Sequence, residues 1–300
     1  MVRPACSVAL IIGLLATGCS QQVPDTAFTF RSPAPAYKSG TGPVVMLDEA
    51  HNNFHTLGGR YYTFGKVISD DGYRMLSGTA PFTATHLQQA HILVIANALS
   101  PDDDFALPTR SAFTPGEIAA VEQWVDQGGS LFLIADHMPF GGAAHDLGAA
   151  FGFDWINGYA TPPQEGTEMF ARRDGSLLAN PITDGSDSTR IDSIELFTGS
   201  AFHAPPEAVV LTRLNAGYEI LLPQRADELS DSTSRISGDG FINGAMLEYG
   251  KGRIVAFGEA AMFTAQFSGP SNEPMGMNRV GAEQNAQFLL NIIHWLDRRL

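Results

Sequence analysis

Acidic and histidine side chains stand at the ends of three apolar runs of this 300-residue chain. The runs and their polar ends are 44–47 with Asp48 and His51, 131–135 with Asp136 and His137, and 254–258 with Glu259. If the three runs are parallel strands of one sheet, their carboxyl ends place these side chains in one crevice, where open α/β sheets bind ligands. The pattern predicts a site without naming its substrate.

The first of these strand ends has the residue types of a metal site. His51 and His55 are four residues apart, and on a helix that spacing brings two imidazoles to one face, from which they can bind one metal ion. With Asp48 they predict a divalent metal site, for Zn²⁺ before other ions, which the two other strand ends could complete. Such a metal would activate water for hydrolysis. The alternative is that these side chains cap a helix or bond loop backbone, because Asn52 and Asn53 favour a loop.

Two glycines follow His137 closely. Their backbone can approach a ligand, and their amides could bind an anionic group or an oxyanion, although a tight turn explains them equally well. Arg60 could face the crevice and hold a polar ligand, and an exposed helix surface explains it equally. The predicted substrate-binding residues are therefore Gly141, Gly142 and Arg60, and the predicted catalytic residues are Asp136, His137 and Glu259.

Strands and helices alternate in the part of the chain that must position these residues. Thr114, Pro115 and Glu117 predict a capped helix start. This helix joins the apolar run 91–97 to the run 131–135, and strand, helix and strand in that order indicate parallel neighbours. The further predictions are a helix near 56–66, a strand at 72–76, a helix at 146–153, a loop-rich segment at 157–190, a meander of strands at 191–197, 208–214 and 218–222, a hairpin of 246–249 with 253–257, and a helix at 282–300.

The first residues have the parts of a secretion signal. Arg3 supplies the charge, residues 8–15 are apolar, and residues 16–19 are small and end at Cys19. This ending resembles a bacterial lipobox, in which the cysteine is lipidated and the chain is cut before it; an ordinary cleaved signal and a membrane anchor are the alternatives. We expect a signal peptide at 1–18, a flexible tether at 19–42 and a single domain at 43–300. The expected location is the bacterial cell envelope, lipid-anchored, on the periplasmic side in a Gram-negative cell.

Composition excludes two kinds of chemistry. Cys6 and Cys19 are the two cysteines of the chain, so the mature domain has no thiol for a disulfide, a Cys nucleophile or a thiolate metal site. A formal net charge of −14 repels phosphate backbones, and no nucleic-acid partner is expected. Membrane contact is expected through the lipid anchor only.

Several segments together resemble a known family. Residues 114–118, the run 131–135, the Asn180-Pro181 pair and residues 250–259 resemble landmarks of the class I glutamine amidotransferase-like superfamily, near its trehalose-utilisation-like proteins. The resemblance implies an α/β fold with a doubly wound, mostly parallel sheet flanked by helices and a β-rich C-terminal extension. Enzymatic members place a Cys nucleophile after the strand that corresponds to 131–135. Asp136 and His137 occupy that turn here, which excludes a Cys-dependent glutamine amidotransferase.

The function expected from these patterns is a cell-envelope lipoprotein with a ligand-binding crevice at the carboxyl edge of its sheet. Its partner would be a small polar or carbohydrate-like ligand, a class that follows only from the trehalose-utilisation resemblance. If the protein is an enzyme, a metal-assisted hydrolase is expected. The alternative is a noncatalytic binding or scaffold module of the envelope, and the sequence leaves both open.

Overall fold

The computed structural model describes residues 22–163 and 168–300. Its helices are α1 (Tyr62–Asp70), α2 (Ala84–Leu87), α3 (Pro115–Asp126), α4 (Phe140–Ala150), α5 (Pro181–Asp184) and α6 (Asn285–Leu296), with two 3₁₀ turns at Arg172–Asp174 and Ala261–Phe263. Its strands are β1 (Val23–Pro24), β2 (Val44–Asp48), β3 (Arg74–Gly78), β4 (Ile92–Ala96), β5 (Ser130–Ile134), β6 (Asp154–Thr161), β7 (Glu168–Ala171), β8 (Ser193–Leu196), β9 (Gly199–His203), β10 (Val209–Arg213), β11 (Glu219–Leu222), β12 (Ser234–Ser237), β13 (Ile242–Tyr249), β14 (Gly252–Phe257), β15 (Ala265–Ser268) and β16 (Glu273–Gly276).

A mixed sheet of eleven strands forms the centre of this α/β fold. Its order is β12-β11-β6-β9-β13-β14-β5-β4-β2-β3, with β10 paired to β13. The half made of β3, β2, β4, β5 and β14 is parallel, while the strands beyond β14 pair antiparallel. The prediction that the three apolar runs are parallel strands of one sheet is therefore confirmed.

Helices cover both faces of the parallel half, because its strands are apolar on both sides. On one face, Val94, Phe132 and Val255 pack in a core with residues of α1 and α6. On the other face, Leu93 and Leu131 pack with residues of α2, α3 and α4. All of these strand side chains are fully buried, so the ends of the strands are held rigidly.

Helix α3 begins as predicted. The Thr114 hydroxyl accepts a hydrogen bond from the Glu117 amide, and the Glu117 carboxylate accepts one from the Thr114 amide, which completes a capping box. The predicted hairpin is also confirmed, since β13 pairs with β14 from Gly244 to Tyr249.

Four predicted elements differ from the structure. The helix predicted at 146–153 is α4, Phe140–Ala150, which begins six residues earlier. The segment predicted as loop-rich, 157–190, contains most of β6, all of β7 and α5. The predicted meander is wrong: β8 pairs with β7, β10 with β13, and β11 with β6 and β12. Strand partners this distant in sequence depend on the whole fold, and apolar alternation within a segment does not encode them. Helix α1 starts at Tyr62 rather than near residue 56, because residues 57–61 form turns in which the Gly59 and Tyr61 amides both donate to the Thr56 carbonyl.

The N-terminal segment also differs from its prediction as a flexible tether. Over its described part, residues 22–42, it packs on the body: β1 pairs with β15, and the Tyr37 hydroxyl donates to the Asp297 carboxylate at 2.6 Å. Tyr37 also packs edge-to-face on Tyr73 at 5.2 Å. The predicted signal peptide and Cys19 lie outside the described residues. Among the residues the structure describes, no helix is long and apolar enough to cross a membrane.

Candidate functional site

A cavity of about 650 Å³ opens at the carboxyl edge of the parallel strands. Its walls include Asn97 after β4, Asp136 and His137 after β5, and Glu259 after β14. This volume suits a small ligand. Three predicted catalytic residues thus meet in one place, since parallel strands end at one edge. We call Asp136, His137, Glu259 and His55 the cavity cluster.

Asp136 and Glu259 form a pair of buried carboxyl groups. Burial raises the pKa of Glu259 well above its usual range, and the charge of Asp136 raises it further. Burial also raises the pKa of Asp136, although hydrogen bonds and the neighbouring His137 partly oppose this. Two backbone amides, from Ala261 and Met262, donate to Glu259 at 2.7 Å and fix its carboxyl group. Removing a proton from Glu259 therefore costs more than removing one from an isolated carboxyl group in water.

His137 has one ring nitrogen fixed by the backbone. Its Nδ1 lies 2.9 Å from the Met138 carbonyl oxygen, which only accepts, so Nδ1 carries the proton. The Nε2 atom then has a lone pair and can act as a base. The ring stacks on Tyr159 at 4.3 Å with an interplanar angle of 15°, which sets its orientation.

His55 is the most deeply buried histidine of the cavity wall. Burial, and then the positive charge of Arg60, lower the pKa of His55 to about 3, so its ring is neutral at physiological pH. Its Nδ1 is buried and has no hydrogen-bond partner among the described residues. The ring packs on Tyr61 at 4.6 Å, and the Tyr61 hydroxyl donates to the Ala260 carbonyl at 3.1 Å.

Glu168 is a third acid coupled to this pair. Burial raises the pKa of Glu168 to about 7, against a hydrogen bond donated by the Tyr218 hydroxyl at 3.3 Å; the charge of Asp136 raises it further. Glu168 begins β7, in the segment predicted to be loop. No motif marks it in the sequence, and its position follows only from the pairing of β7 with β8.

A second group of acids around a histidine lies apart from the cavity walls. We call Asp48, His51, Asn53 and Glu117 the Asp48 cluster. His51 Nδ1 lies 2.9 Å from both Asp48 oxygens, and Nε2 lies 3.0 Å from Glu117 Oε1. The Asn53 amide donates to Asp48 at 3.0 Å. The ring of His51 packs against Phe82 at 4.6 Å and against Phe113 at 4.9 Å.

One positive charge partly compensates two acids in the Asp48 cluster. Burial lowers the pKa of His51, but Asp48 and Glu117 together raise it above its usual value. Burial raises the pKa of Glu117, but hydrogen bonds from Thr114 and the contact with His51 lower it to about 2. His51 is thus an imidazolium held between two carboxylates.

The predicted metal site does not fit this geometry. Asp48 and His51 are together, but the turns after β2 carry His55 into the other cluster, because residues 50–61 are not helical. Both ring nitrogens of His51 already face carboxylates, and no group of three His, Cys, Asp or Glu residues within 22–163 and 168–300 is arranged to hold a metal ion. The five strand-end residues therefore form two sites rather than one shared metal centre.

Of the three predicted substrate-binding residues, one lines the cavity and two do not. Arg60 lines the cavity, with its guanidinium 5.3 Å from the centre of the Phe54 ring. Gly141 and Gly142 instead form the first turn of α4, against β6. The Gly142 amide donates to the Asn157 side chain at 3.1 Å, and a Cβ on Gly142 would come within 2.6 Å of that side chain. Close helix packing accounts for both glycines, and they do not form the predicted anion site.

Sequence reasoning missed Asn97 and Tyr159. Asn97 follows an apolar run as Asp136 does, so its strand-end position was a usable signal. It has a φ of 48°, a conformation that Asn tolerates, and its side-chain oxygen accepts from the Asp136 amide at 2.9 Å. Tyr159 has no such signal, since it could have been an ordinary core residue.

Comparisons with known proteins bear on the fold. No family model and no curated protein matches the chain. The mmIFT52 N-terminal domain superposes with a TM-score of 0.58 at 12% identity, over 85% of this chain and 97% of that one. The cytoplasmic protein STM1381 from Salmonella typhimurium LT2 has a TM-score of 0.50 at 15% identity, over 84% of this chain and 98% of that one. A ThuA-like protein from Bacteroides uniformis has a TM-score of 0.46 at 14% identity, over 88% of this chain and 94% of that one. At such identities the likeness concerns the fold alone.

Proposed function

We propose that this protein is a lipid-anchored protein of the bacterial cell envelope whose cavity hydrolyses a small polar, carbohydrate-like ligand by acid–base chemistry. The observation that carries this proposal is the meeting of two buried carboxyl groups of raised pKa, Asp136 and Glu259, with a histidine whose Nε2 is available to accept a proton. Hydrolysis by acid–base chemistry requires a group that donates a proton and a second group that accepts one.

Each residue has a distinct role in this proposal. His137 accepts a proton from the attacking water through Nε2, while its Nδ1 stays bonded to Met138. Asp136 donates a proton to the leaving oxygen, and its charge interaction with Glu259 favours a proton in the pair. His55, being neutral, contributes hydrogen bonding rather than charge. No step depends on a metal ion, because the residues that were predicted to bind one do not converge.

The substrate class draws on the lining of the cavity. Phe54, Phe105, Phe140 and Tyr159 supply flat apolar faces, and the acids supply hydrogen-bond acceptors. Such a mixture suits a ring with hydroxyl groups. The parallel half-sheet with helices on both faces supports a divergent amidotransferase-like, doubly wound fold, in which Asp136 and His137 stand where the nucleophile turn is expected.

Two assays test this function. A screen of 4-nitrophenyl glycosides measures hydrolysis, and thermal shift measures the binding of free mono- and disaccharides. We expect one glycoside to be hydrolysed by the wild type, with turnover lost in Asp136→Asn and His137→Ala and retained in His145→Ala, whose ring is half-exposed outside the cavity. Saccharide binding without turnover would favour the noncatalytic module. No saccharide effect on either readout would contradict the proposed substrate class.

A further inference from the structure

The first described residues of the chain form part of the cavity wall. Gln22 lines the cavity, and the next two residues pair with β15, with Val23 opposite Phe267. Strand β16, paired with β15, contributes Met275 to the same wall. The chain therefore reaches the folded body at the rim of the cavity and not at its far end.

This entry point is fixed by contacts on both sides of the strand. The Asp25 amide donates to the Ala265 carbonyl at 2.8 Å, and the Asn278 side chain donates to the Asp25 carboxylate at 3.2 Å. Further along, Tyr37 is bonded to Asp297. Because residues 22–42 are docked in this way, they do not act as a spacer between an anchor and the body.

The remaining distance to Cys19 is short. Three residue steps separate Cys19 from Gln22, and a fully extended chain spans at most about 3.6 Å per residue, or about 11 Å in all. We propose that the rim of this cavity is a membrane-contacting surface, so that the cavity opens toward the bilayer that carries the lipid on Cys19. This inference rests on the lipid anchoring in the proposed function.

Exposed apolar side chains flank the entry point. Val23 is 42% exposed and Val280 is 90% exposed. Val280 is two residues from Asn278, which donates to Asp25 beside the entry point, and next to Arg279, whose guanidinium stacks over the wall residue Phe197 at 5.6 Å. Transfer of these side chains from water to a lipid interface would be favourable. A ligand would then reach Asp136 and His137 from the lipid–water interface.

Fluorescence quenching by lipids that carry a shallow spin label tests the orientation. The full chain is expressed, purified from membranes with its lipid, and placed in phosphatidylcholine vesicles, since the net charge of −14 would be repelled by anionic lipids. Lipid blocks the thiol of Cys19, so a cysteine introduced at one position takes the fluorophore alone. The rim positions are Val280→Cys and Glu228→Cys, next to the wall residue Asp227. The control is Lys251→Cys, at the amino end of β14, roughly 20 Å from the cavity edge.

We expect both rim labels to be quenched at least threefold more than the label at Lys251. Inserting ten Gly and Ser residues between Gln21 and Gln22 should remove this difference while the lipid stays attached. Val280→Asp should weaken quenching of the Glu228 label, whereas Val209→Asp, a change at another exposed valine, should not. Equal quenching at all three positions in a lipidated protein would overturn the inference alone. An intact mass without lipid on Cys19 would overturn the anchoring as well.

Discussion

The Asp48 cluster and the cavity cluster are built from the same residue types and differ in how far their charges are compensated. In the Asp48 cluster, each ring nitrogen of His51 faces a carboxylate within 3.0 Å. In the cavity cluster, two acids face each other and His55 Nδ1 has no partner in the described part of the chain. The first arrangement stabilises the fold, and the second leaves groups that a ligand can satisfy.

This difference explains why residue type alone did not separate structure from function. Asp48 and Asp136 both end a buried strand, and each lies close to a histidine. What distinguishes them is the third partner: Glu117 arrives from α3 to complete the Asp48 cluster, whereas Glu259 brings a like charge to Asp136. A completed pair lowers the free energy of the folded state, while the charge of Asp136 raises the pKa of Glu259.

Removing the imidazole of the Asp48 cluster should have the largest effect. His51→Ala leaves Asp48 and Glu117 buried without their cation, and breaking a buried ion pair costs about 3–5 kcal/mol. Urea unfolding monitored by tryptophan fluorescence measures this loss. His145→Ala, which breaks exposed pairs with Asp146 and Asp154, should cost at most about 1 kcal/mol. Equal losses in the two variants would show that the Asp48 cluster is no better compensated than a surface pair.

Glu168 should make the stability of the cavity region depend on pH. Its folded pKa of about 7 lies above the unfolded value of 4.5, so the unfolded chain releases the proton first and stability falls as pH rises from about 4.5 to 7. The limit of this loss is about 3 kcal/mol. Glu168→Gln should remove it, so that the difference in unfolding free energy between pH 5 and pH 8 shrinks. The exposed Glu207→Gln should leave that difference unchanged, and an equal change in both would refute the assignment to Glu168.

Neutralising one acid of the cavity pair should stabilise the protein. Asp136→Asn removes the repulsion of Glu259 and the cost of a buried charge, and we expect a gain of about 1 kcal/mol at pH 8. This change in the free energy of unfolding has the opposite sign to the change expected for His51→Ala. The difference in sign is the sharpest test of the comparison between the two clusters. Thermal unfolding at pH 8 and pH 5 measures it, and the gain should be smaller at pH 5, where the pair already holds its proton. A loss of stability at pH 8 would mean that Asp136 is compensated as Asp48 is.

Much of the parallel half of the fold could be predicted from the sequence. Short apolar runs, such as 131–135, and the capping residues Thr114 and Glu117 are local signals, and they gave β5 and α3 within a residue or two. The prediction of a meander was wrong because the pairing of β10 with β13 and of β7 with β8 is decided by tertiary packing.

The candidate site was predictable in part for the same reason. Strand ends located Asp136, His137 and Glu259, since parallel strands share an edge. The turns after β2 were not predictable in detail, and they decide that His51 and His55 separate. Glu168 could not be found, because nothing in its own segment indicates that it is buried beside the acids.

The smallest effect should come from the cap that holds Glu117. Thr114 accepts from the Glu117 amide and its hydroxyl donates to the Glu117 carboxylate at 2.8 Å, so Thr114→Ala should cost about 1 kcal/mol. Thr83→Ala, which removes the cap of α2 without touching a carboxylate, is the matched control. Urea unfolding of each variant, alone and combined with His51→Ala, measures the coupling between the two positions. Because Thr114 and His51 both contact Glu117, their losses of unfolding free energy should not add. The losses for Thr83 and His51 should add. Additive losses for Thr114 and His51 would mean that Glu117 serves the helix and the Asp48 cluster independently.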